Sequence, residues 1–571
     1  MDTGMLERLA ALLHSYPELC LFLSVLFGHF IGRFHVKGVG FGSVVGTLIA
    51  GIVIGIFARP ELPDLLRWAF FYLFLFAIGY SVGPQFFGSL KKSALPQLAL
   101  AVIVAVTGLA TTILMTTMFE FDEGIAVGLL SGAMTQSAAL GTGLNAIAEL
   151  PLPDDVKAVL SAHAPLADAI TYGFGDLGLI LFLTWLGPKM LRANLKAEAA
   201  AIEKTLAGGV HGTEVFPSGL GYRAYRVDNA EVAGTTVEAL EARFAAHRLA
   251  VQRVSRNGRH LSIDPALVLA AGDHIVVSAG RGTLTALERE IGPEIDDTEL
   301  LSVPRQQSSL VVTDKTVIGK TLADLGADRR VRGVYLQSLQ RGTQLMPREP
   351  WTVIERGDVL HVVGSPDDVE RAGQLAGFVE RDVARTDLAF LAGGICAGIL
   401  LGLLKADVAG LRLGLGTSGS ILVVGLLAGW ARSRYPVFGS IPEPAQRLLI
   451  DIGLIVFIAV VGLHAGPHAV EAYRESGGAF FARIVIAGMV VTVAPLAAGT
   501  IAARFVFKMS PLMILGGLAG AQTCTPGLNA LREASGSNVG ALAYTVPYAI
   551  GNILLTLWGP VVVAIVHTMR R

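Results

Sequence analysis

GAMTQSAALGTGLNA, residues 132–146, is a stretch of small and polar residues inside an apolar run. GAQTCTPGLNA, residues 520–530, repeats it in the C-terminal part of the chain. Glycine, proline, serine and threonine interrupt helices and offer replacement hydrogen-bond partners. An unpaired backbone group in hydrocarbon costs several kcal/mol, so a broken helix survives there only inside protein or beside a water-filled cavity. The two stretches therefore predict a pair of broken helices in a membrane protein.

The composition predicts membrane segments around a soluble insert. The 571 residues are 52% hydrophobic and 16% charged, whereas soluble proteins have about 25% charged residues. The mean hydropathy is +0.58. Residues 19–188 and 388–567 are apolar and rich in glycine, but residues 189–387 have the composition of a soluble protein. We therefore expect two membrane blocks that flank a soluble insert.

Each block divides into six apolar segments, most of which approach the about 20 residues that a spanning helix needs. In the first block they are residues 19–32, 41–58, 65–88, 94–119, 124–148 and 160–187. In the second block they are residues 388–404, 414–431, 446–467, 479–503, 510–534 and 539–567. The two polar stretches fall in the fifth segment of their blocks.

The two blocks are copies of one unit. Five motifs occur in both blocks in the same order, which chance rarely produces. They are GFGSVVGTLIAGIVIG (40–55) with GLGTSGSILVVGLLAG (414–429), FAIGYSVGPQ (76–85) with AVVGLHAGPH (459–468), GLLSGAMT (128–135) with GGLAGAQT (516–523), TGLNAIAE (142–149) with PGLNALRE (526–533), and LFLTWLGP (181–188) with ILLTLWGP (553–560). The fourth pair aligns only after a four-residue shift.

The orientation of the copies depends on the fifth segment. If that segment enters the membrane and returns, each block crosses five times and the copies are inverted; if it spans, they are parallel. With a cytoplasmic insert, a re-entrant fifth segment puts many basic residues inside, as membrane proteins prefer. They are Arg33, Lys37, Lys91, Lys92, Arg432, Arg434, Arg447, Arg504 and Lys508. The opposite assignment is favoured by Arg59, Arg67, Arg570 and Arg571. The balance predicts an α-helical membrane protein of two inverted repeats, each with five spanning helices and one broken or re-entrant segment.

The soluble insert contains a repeat of its own. Residues 227–280 and 312–365 share one plan. Each begins with a short strand, a glycine turn and a helix. A strand of alternating apolar and polar residues and a tight turn come next. A proline-containing segment then leads to a Gly-Asp turn and a strand rich in β-branched residues. Gly272-Asp273 and Gly357-Asp358 form those last turns. Two small α/β domains are expected.

The predicted domain boundaries follow from these patterns. They are residues 1–190 for the first membrane repeat, 191–206 for a linker helix, 207–295 and 296–380 for the two insert domains, and 381–571 for the second membrane repeat.

These motifs resemble two known families. GKTLADLG (319–326) with GDVLHVVG (357–364), and more loosely GTTVEAL (234–240) with GDHIVVS (272–278), are similar to the TrkA-C domain of regulators of potassium conductance. Two apolar halves with GxxxGAxT and GLNA, split by two such domains, resemble the aspartate:alanine exchanger family of bacterial inner-membrane transporters. The resemblance covers nearly the whole chain, and its architecture is more specific than any single motif.

The resemblance implies a homodimeric exchanger of small acidic or amino-acid substrates. Some members exchange aspartate for alanine, and others are thought to export succinate or glutamate. One bundle of each half, including the broken segment, is expected to move against a dimerising scaffold. An unidentified regulatory ligand is expected at the TrkA-C domains.

The broken segments form the predicted substrate site. Paired interrupted helices in matching repeats point to the substrate site of a transporter, and helix N-termini favour anions such as a carboxylate. The candidates are Thr135, Gln136, Ser137, Thr142, Gly143, Asn145, Thr523, Cys524, Thr525, Pro526, Gly527 and Asn529. Because Pro526 aligns with Thr142, and proline enforces a break that threonine can heal, we expect the second break to be the more rigid one.

Three ionisable residues in the apolar segments are further candidates, because charges inside a membrane are costly and usually functional. Asp168 and Asp176 lie near one face of the sixth segment, with Tyr172 between them. They can carry a proton or a cation, or form an inter-helix hydrogen bond. Arg532 either steers an anion or extends its charged end to the membrane interface.

Two alternative functions remain open, namely dicarboxylate or glutamate export and cation antiport regulated by the soluble domains. A channel is disfavoured because no TVGYG-like filter occurs. An enzyme is disfavoured because there is no P-loop, metal cluster or nucleophile–base motif, and no cofactor is expected. The net charge of −1 gives no sign of a nucleic-acid partner.

Overall fold

The structure is a computed structural model of the 571-residue chain. It describes residues 11–33, 35–36, 39–40, 42–88, 94–207, 220–244, 248–285, 287–342, 344–380, 386–404, 406–408, 411–413, 416–435 and 439–570. Four basic residues used to predict the orientation lie outside these ranges: Lys37, Lys91, Lys92 and Arg571. The chain divides into a membrane unit, Met1–Ala201 with Arg385–Arg571, and an insert, Ile202–Ala384.

The first half of the membrane unit consists of helices with short connections. They are α1 (Pro17–Gly32), α2 (Gly42–Ala58), α3 (Asp64–Gly88), α4 (Leu95–Phe119), α5 (Glu123–Ala133), α6 (Ser137–Ala148) and α7 (Asp154–Leu181). A π-helical turn, Phe182–Leu186, and a further helical turn, Gly187–Leu191, continue α7. Strands β1 (His35–Val36) and β2 (Val39–Gly40) form a hairpin between α1 and α2. Helix α8 (Leu195–Ala207) follows.

The insert contains two five-stranded antiparallel sheets, and both follow the predicted order of strands, helix and Gly-Asp turn. The strands are β3 (Leu220–Arg226), β4 (Ala250–Arg256), β5 (Arg259–Leu261), β6 (His274–Gly280), β7 (Glu294–Ile295), β8 (Gln306–Val312), β9 (Tyr335–Arg341), β10 (Gln344–Met346), β11 (Val359–Gly364) and β12 (Gly377–Glu380). The sheet orders are β5-β4-β6-β3-β7 and β10-β9-β11-β8-β12, so the second domain repeats the first. The helices are α9 (Val237–Arg243), α10 (Arg281–Leu284), α11 (Leu287–Glu290), α12 (Thr298–Leu301), α13 (Leu322–Gly326) and α14 (Pro366–Ala376).

The second membrane half repeats the helix order of the first. Its helices are α15 (Leu388–Gly402), α16 (Gly416–Arg434), α17 (Glu443–Ile501), α18 (Pro511–Ala521), α19 (Thr525–Ser535) and α20 (Ala541–Arg570). Strands β13 (Ala406–Val408) and β14 (Leu411–Leu413) form the hairpin between α15 and α16. The predicted third and fourth segments are joined in α17, which kinks at Gly477 with φ of 66°. Glycine adopts this left-handed conformation without steric cost.

Six helices of the described chain are long and apolar enough to cross a membrane, three in each half. They are Asp64–Phe87, Leu95–Phe119, Asp154–Leu191, Glu443–His468, Gly477–Val506 and Ala541–Arg570. These are the third, fourth and sixth predicted segments of each block. The first helices are shorter: the 16 residues of α1 extend about 24 Å, whereas the hydrocarbon core measures about 30 Å.

Each fifth segment is a helical hairpin, broken where the sequence predicts. In the first hairpin, a Cβ at Gly143 in α6 would touch Val127 in α5, so the two helices pack side by side and run in opposite directions. In the second, Gly540 follows α19 and lies against both Leu531 of α19 and Leu512 of α18. The start of α18 and the end of α19 are therefore close together.

Glycines allow close contact between the two membrane halves. A Cβ on any of them would collide with the backbone of the other half. The contacts are Gly51 with Ala459, Gly55 with Leu463, Gly79 with Leu422, and Gly83 with Leu426. Residue numbers rise together along each helix pair, so α2 runs parallel to the first part of α17, and α3 runs parallel to α16.

The Gly-Asp turns of the insert place a buried acid in each domain. The Arg256 guanidinium donates two hydrogen bonds of 2.8 Å to Asp273, and Arg341 donates two of 2.8 Å to Asp358. Burial alone would raise the pKa of Asp273, but the hydrogen bonds from Arg256 and the Ala270 amide hold it below its usual value. In each domain, therefore, an arginine guanidinium is paired with the aspartate carboxylate, which would be costly to bury alone.

The two insert domains pack on each other through polar contacts. The Tyr335 hydroxyl is buried and lies 2.8 Å from the carbonyl oxygen of Arg248 and 2.9 Å from that of Ser278. Arg332 donates to the Glu241 carboxylate at 2.7 Å and to the Val251 carbonyl at 2.8 Å. These contacts join the two domains in one compact unit.

The helix contact at Gly429 of α16 provides a test of the packing between the halves. A Cβ there would lie 2.0 Å from the Tyr80 carbonyl oxygen. Overpacking of this kind costs about 1–3 kcal/mol, so Gly429→Ala is expected to lower the melting temperature of the detergent-solubilised protein. Gly393→Ala in α15 is the matched control, since nothing lies within 4 Å of its Cβ. Equal melting temperatures of the two variants would contradict the close packing.

Candidate functional site

The first break is a helix C-cap with threonine in the position that glycine usually occupies. Thr135 has φ of 54°, in the left-handed region. Its amide donates to the Gly132 carbonyl at 3.1 Å, and the Gln136 amide donates to the Ser131 carbonyl at 2.8 Å, which is the Schellman pattern. A β-branched residue in this region is an outlier. Such strain persists where the surroundings impose it, and it clusters at functional sites.

The second break repeats this conformation. Thr523 has φ of 55°. The Thr523 amide donates to the Gly520 carbonyl at 2.8 Å, and the Cys524 amide donates to the Ala519 carbonyl at 3.0 Å. Because both copies hold a threonine in the strained position, the conformation is a property of the repeat.

The tips of the two hairpins contact each other. The Thr135 hydroxyl donates to the Gln522 carbonyl at 2.6 Å, and the Thr523 hydroxyl donates to the Thr135 carbonyl at 3.4 Å. The Gln136 side-chain amide donates to the Asn552 side-chain oxygen of α20 at 3.2 Å. The C-terminal ends of α5 and α18 therefore meet the N-terminal ends of α6 and α19 in the protein interior.

This meeting of helix ends has two electrostatic faces. The first turns of α6 and α19 carry amides without intrahelical acceptors, and their dipoles favour an anion. The ends of α5 and α18 carry carbonyls that favour a cation. Cys524 caps α19: the Gly527 amide donates to its sulfur at 3.3 Å, and its thiol donates to Asp176 at 3.2 Å. Pro526 is the second residue of α19 and supplies no N–H.

Both candidate acids lie in the interior on α7. Asp168 is 1% exposed and accepts a 2.5 Å hydrogen bond from the Ser131 hydroxyl of α5. Asp176 is 9% exposed and accepts from Cys524 at the second tip. Within the described parts of the chain, neither carboxylate forms an ion pair. Tyr172 lies between the two acids and near Ser137.

Six of the predicted site residues lie at the tips, namely Thr135, Gln136, Ser137, Thr523, Cys524 and Thr525. Four of them are buried, and Thr523 and Thr525 are partly buried. Thr525 is within 3.1 Å of the Tyr544 hydroxyl of α20. The tip residues from the two halves are thus brought together.

The remaining candidates lie along α6 and α19. Thr142 donates to the Thr556 carbonyl at 2.7 Å, and Gly143 packs on Val127. Asn145 lies near Gly416, and a Cβ there would be 3.9 Å from its amide nitrogen. These residues pack the hairpin against its neighbours, and they do not meet at the tips.

The second hairpin separates its candidates in the same way. Gly527 packs on Leu179 and Leu183. Pro526 and Asn529 are exposed, and Asn529 accepts from Arg532 at 3.5 Å.

The basis for expecting a more rigid second break is wrong. Thr142 is the sixth residue of α6, and Pro526 is the second residue of α19, so neither residue forms its break. The four-residue shift adds about one helical turn between the first break and its GLNA motif.

Sequence reasoning missed three polar residues at the tips. Gln522 is fully buried, and its side-chain amide lies 3.4 Å from the Thr492 carbonyl, whereas its side-chain oxygen has no hydrogen-bond partner among the described residues. The Thr492 hydroxyl donates to the Ala133 carbonyl at the end of α5, at 3.0 Å. Asn552 is the third. Two sequence signals point to these residues. Gln522 is a polar residue of the GAQT motif at the position where the first copy has Met134, and Asn552 is a polar residue within an apolar run.

Comparison with known proteins matches both parts of the chain. Residues 20–188 and 390–564 match a family model described as a predicted permease membrane region. Residues 222–292 and 308–377 each match the TrkA-C domain.

Related proteins are similar over almost their entire length. An uncharacterized transporter of Bordetella bronchiseptica is 50% identical over 99% of this chain and 100% of its own length. One from Bradyrhizobium diazoefficiens is 37% identical over 90% of this chain and 100% of its own length. One from Shewanella oneidensis is 35% identical over 97% of this chain and 98% of its own. No solved structure matches.

The contact between the tips predicts an effect of Thr135→Val. The variant leaves the buried Gln522 carbonyl without its hydroxyl partner, which costs about 1–3 kcal/mol, so the melting temperature should fall, while Thr135→Ser should retain it. Thr112→Val is the control, because the Thr112 hydroxyl bonds only the Gly108 carbonyl of its own helix. A fall no larger than that of the control would contradict the contact between the tips.

Proposed function

Because the chain belongs to the aspartate:alanine exchanger family of membrane permeases, we propose that it is a secondary antiporter that exchanges small carboxylate-bearing amino acids, aspartate for alanine, across the bacterial inner membrane. The observation that carries this proposal is the meeting of four half-helix ends at the two hairpin tips. Helix N-termini suit the substrate carboxylate, and helix C-termini suit its ammonium group. An amino-acid zwitterion carries both charges and can therefore interact with both kinds of helix end.

The helix directions support an inverted arrangement of the two repeats. Helices α2 and α3 are consecutive and joined by the short connection 59–63, which is typical of antiparallel neighbours. Their counterparts are α16 and the first part of α17. Since α3 runs parallel to α16 and α2 to α17, the second copy points the opposite way to the first. We infer five crossings and one re-entrant hairpin in each half, an arrangement that suits transport by alternating access.

The other parts of the proposal rest on the family. One bundle of each half, containing its hairpin, moves against a scaffold that holds two copies of the chain together. The TrkA-C domains regulate this movement through a small ligand, which acts by binding one state more tightly than the other.

Two other substrate classes have specific support. The paired N-termini of α6 and α19 also suit a dicarboxylate or glutamate. The buried acids Asp168 and Asp176 suit a cation, as in a cation antiporter.

Exchange in liposomes tests the proposal. Purified protein is reconstituted in liposomes loaded with L-aspartate, uptake of radiolabelled L-aspartate is followed, and excess alanine, glutamate, succinate or potassium is then added outside. We expect alanine to cause efflux of the label, because the binding site of a strict exchanger crosses the membrane only when a substrate is bound. Efflux with succinate alone would identify a dicarboxylate carrier, and no counterflow with any carboxylate would refute the proposal.

Cys524 provides a test of the site. A variant with Cys20→Ser and Cys396→Ser keeps one thiol, which is buried at the second tip. Saturating L-aspartate is expected to slow its reaction with N-ethylmaleimide, because the substrate covers the tip. A variant that keeps only Cys396, which is exposed, is the control and should react equally with and without aspartate. Equal reaction of Cys524 in both conditions would contradict the location of the site.

A further inference from the structure

Asp176 is a buried acid in the interior of the membrane unit. It is 9% exposed and lies on α7 at the level of both breaks, since its neighbour Gly175 packs against Thr135. Its carboxylate accepts a hydrogen bond from the thiol of Cys524. In the part of the chain that the structure describes, no Lys, Arg or His pairs with it. A carboxylate in such a place requires a cationic partner or a proton.

A second polar position lies near Asp176. The Ser137 hydroxyl, at the first turn of α6, is 4% exposed and lies beside the Tyr172 hydroxyl. Tyr172, one turn before Asp176, connects the two positions, because it also lies near Asp176 and Cys524. The unpaired acid and the start of α6 are thus joined by buried hydroxyl groups.

We propose that Asp176 binds the α-ammonium group of the substrate and thereby selects amino acids over dicarboxylates. This inference rests on the proposed exchange function and names the specificity-determining residue of the same site. The α-carboxylate then faces the first turn of α6, where Ser137 lies, and the ammonium group faces Asp176. A dicarboxylate of similar length, such as succinate, presents a second negative charge or an uncharged carbon to Asp176, and is rejected.

Asp168 does not have this role. Its carboxylate is held by Ser131 between α5 and α7, and Gly128 and Gly132 bring these two helices into contact on either side of it. Asp168 is therefore part of the packing between α5 and α7, whereas Asp176, at the tips, is available to a ligand.

The test compares L-aspartate with succinate, which is aspartate without its amino group. Radiolabelled uptake of each is measured in proteoliposomes for the wild type and for Asp176→Asn. We expect the wild type to prefer aspartate by about 100-fold or more, the scale of a lost partner in a buried charge pair. Asp176→Asn should lose aspartate uptake by a similar factor and discriminate little between the two compounds. Glu123→Gln is the matched control: this buried acid lies at the other end of α5, paired with His567, and the preference should persist.

The outcomes separate this inference from the proposed function. If the wild type exchanges no carboxylate, the exchange function is refuted. If the wild type exchanges aspartate but Asp176→Asn keeps the wild-type preference, only the role of Asp176 is refuted.

Two measurements on the wild type test the inference even if Asp176→Asn fails to fold. Propionate, which is alanine without its amino group, should not compete with alanine for efflux; equal competition would overturn the inference. Aspartate counterflow should also persist in choline medium without sodium or potassium. Loss of counterflow there would assign the cation at Asp176 to a metal ion instead of the substrate ammonium.

Discussion

The fold depends on one requirement, that every backbone polar group in hydrocarbon has a partner. Breaking two helices frees carbonyls that their own helices no longer satisfy. Two of the partners come from the opposite half: Thr135 donates to Gln522, and Thr492 donates to Ala133. Each hairpin is thus completed by the other copy, which explains why the sequence carries both breaks.

The same requirement links packing to function. Glycines let the helices of the two halves approach until their backbones touch. Thr135 and Thr523, whose hydroxyls bond across the two halves, adopt a left-handed conformation that costs of order 1–3 kcal/mol each. The strained tips direct amides and carbonyls of four helix ends at one place, where we propose that the substrate binds. The insert has its own buried acids, Asp273 and Asp358, which are paired with Arg256 and Arg341.

Much of this arrangement was readable from the sequence, because hydrophobic segments and repeated motifs are local signals. The helices, the duplication, the insert domains and the approximate position of both breaks follow from them. The exact position of each break is harder to predict, because threonine at a Schellman position lacks the usual glycine signal. Thr142 and Asn145 share a motif with the break, although more than one turn of helix separates them from it. Asn552 and Thr492 act through contacts between distant helices, which one sequence does not reveal.

We propose that the substrate lies between the two hairpin tips. Electron cryo-microscopy of the protein in lipid nanodiscs, with and without saturating L-aspartate, can locate it. We expect additional density between Thr135–Ser137 and Thr523–Thr525, in contact with Asp176, only in the sample with aspartate. Aspartate density elsewhere in the membrane unit, or in the insert alone, would contradict it.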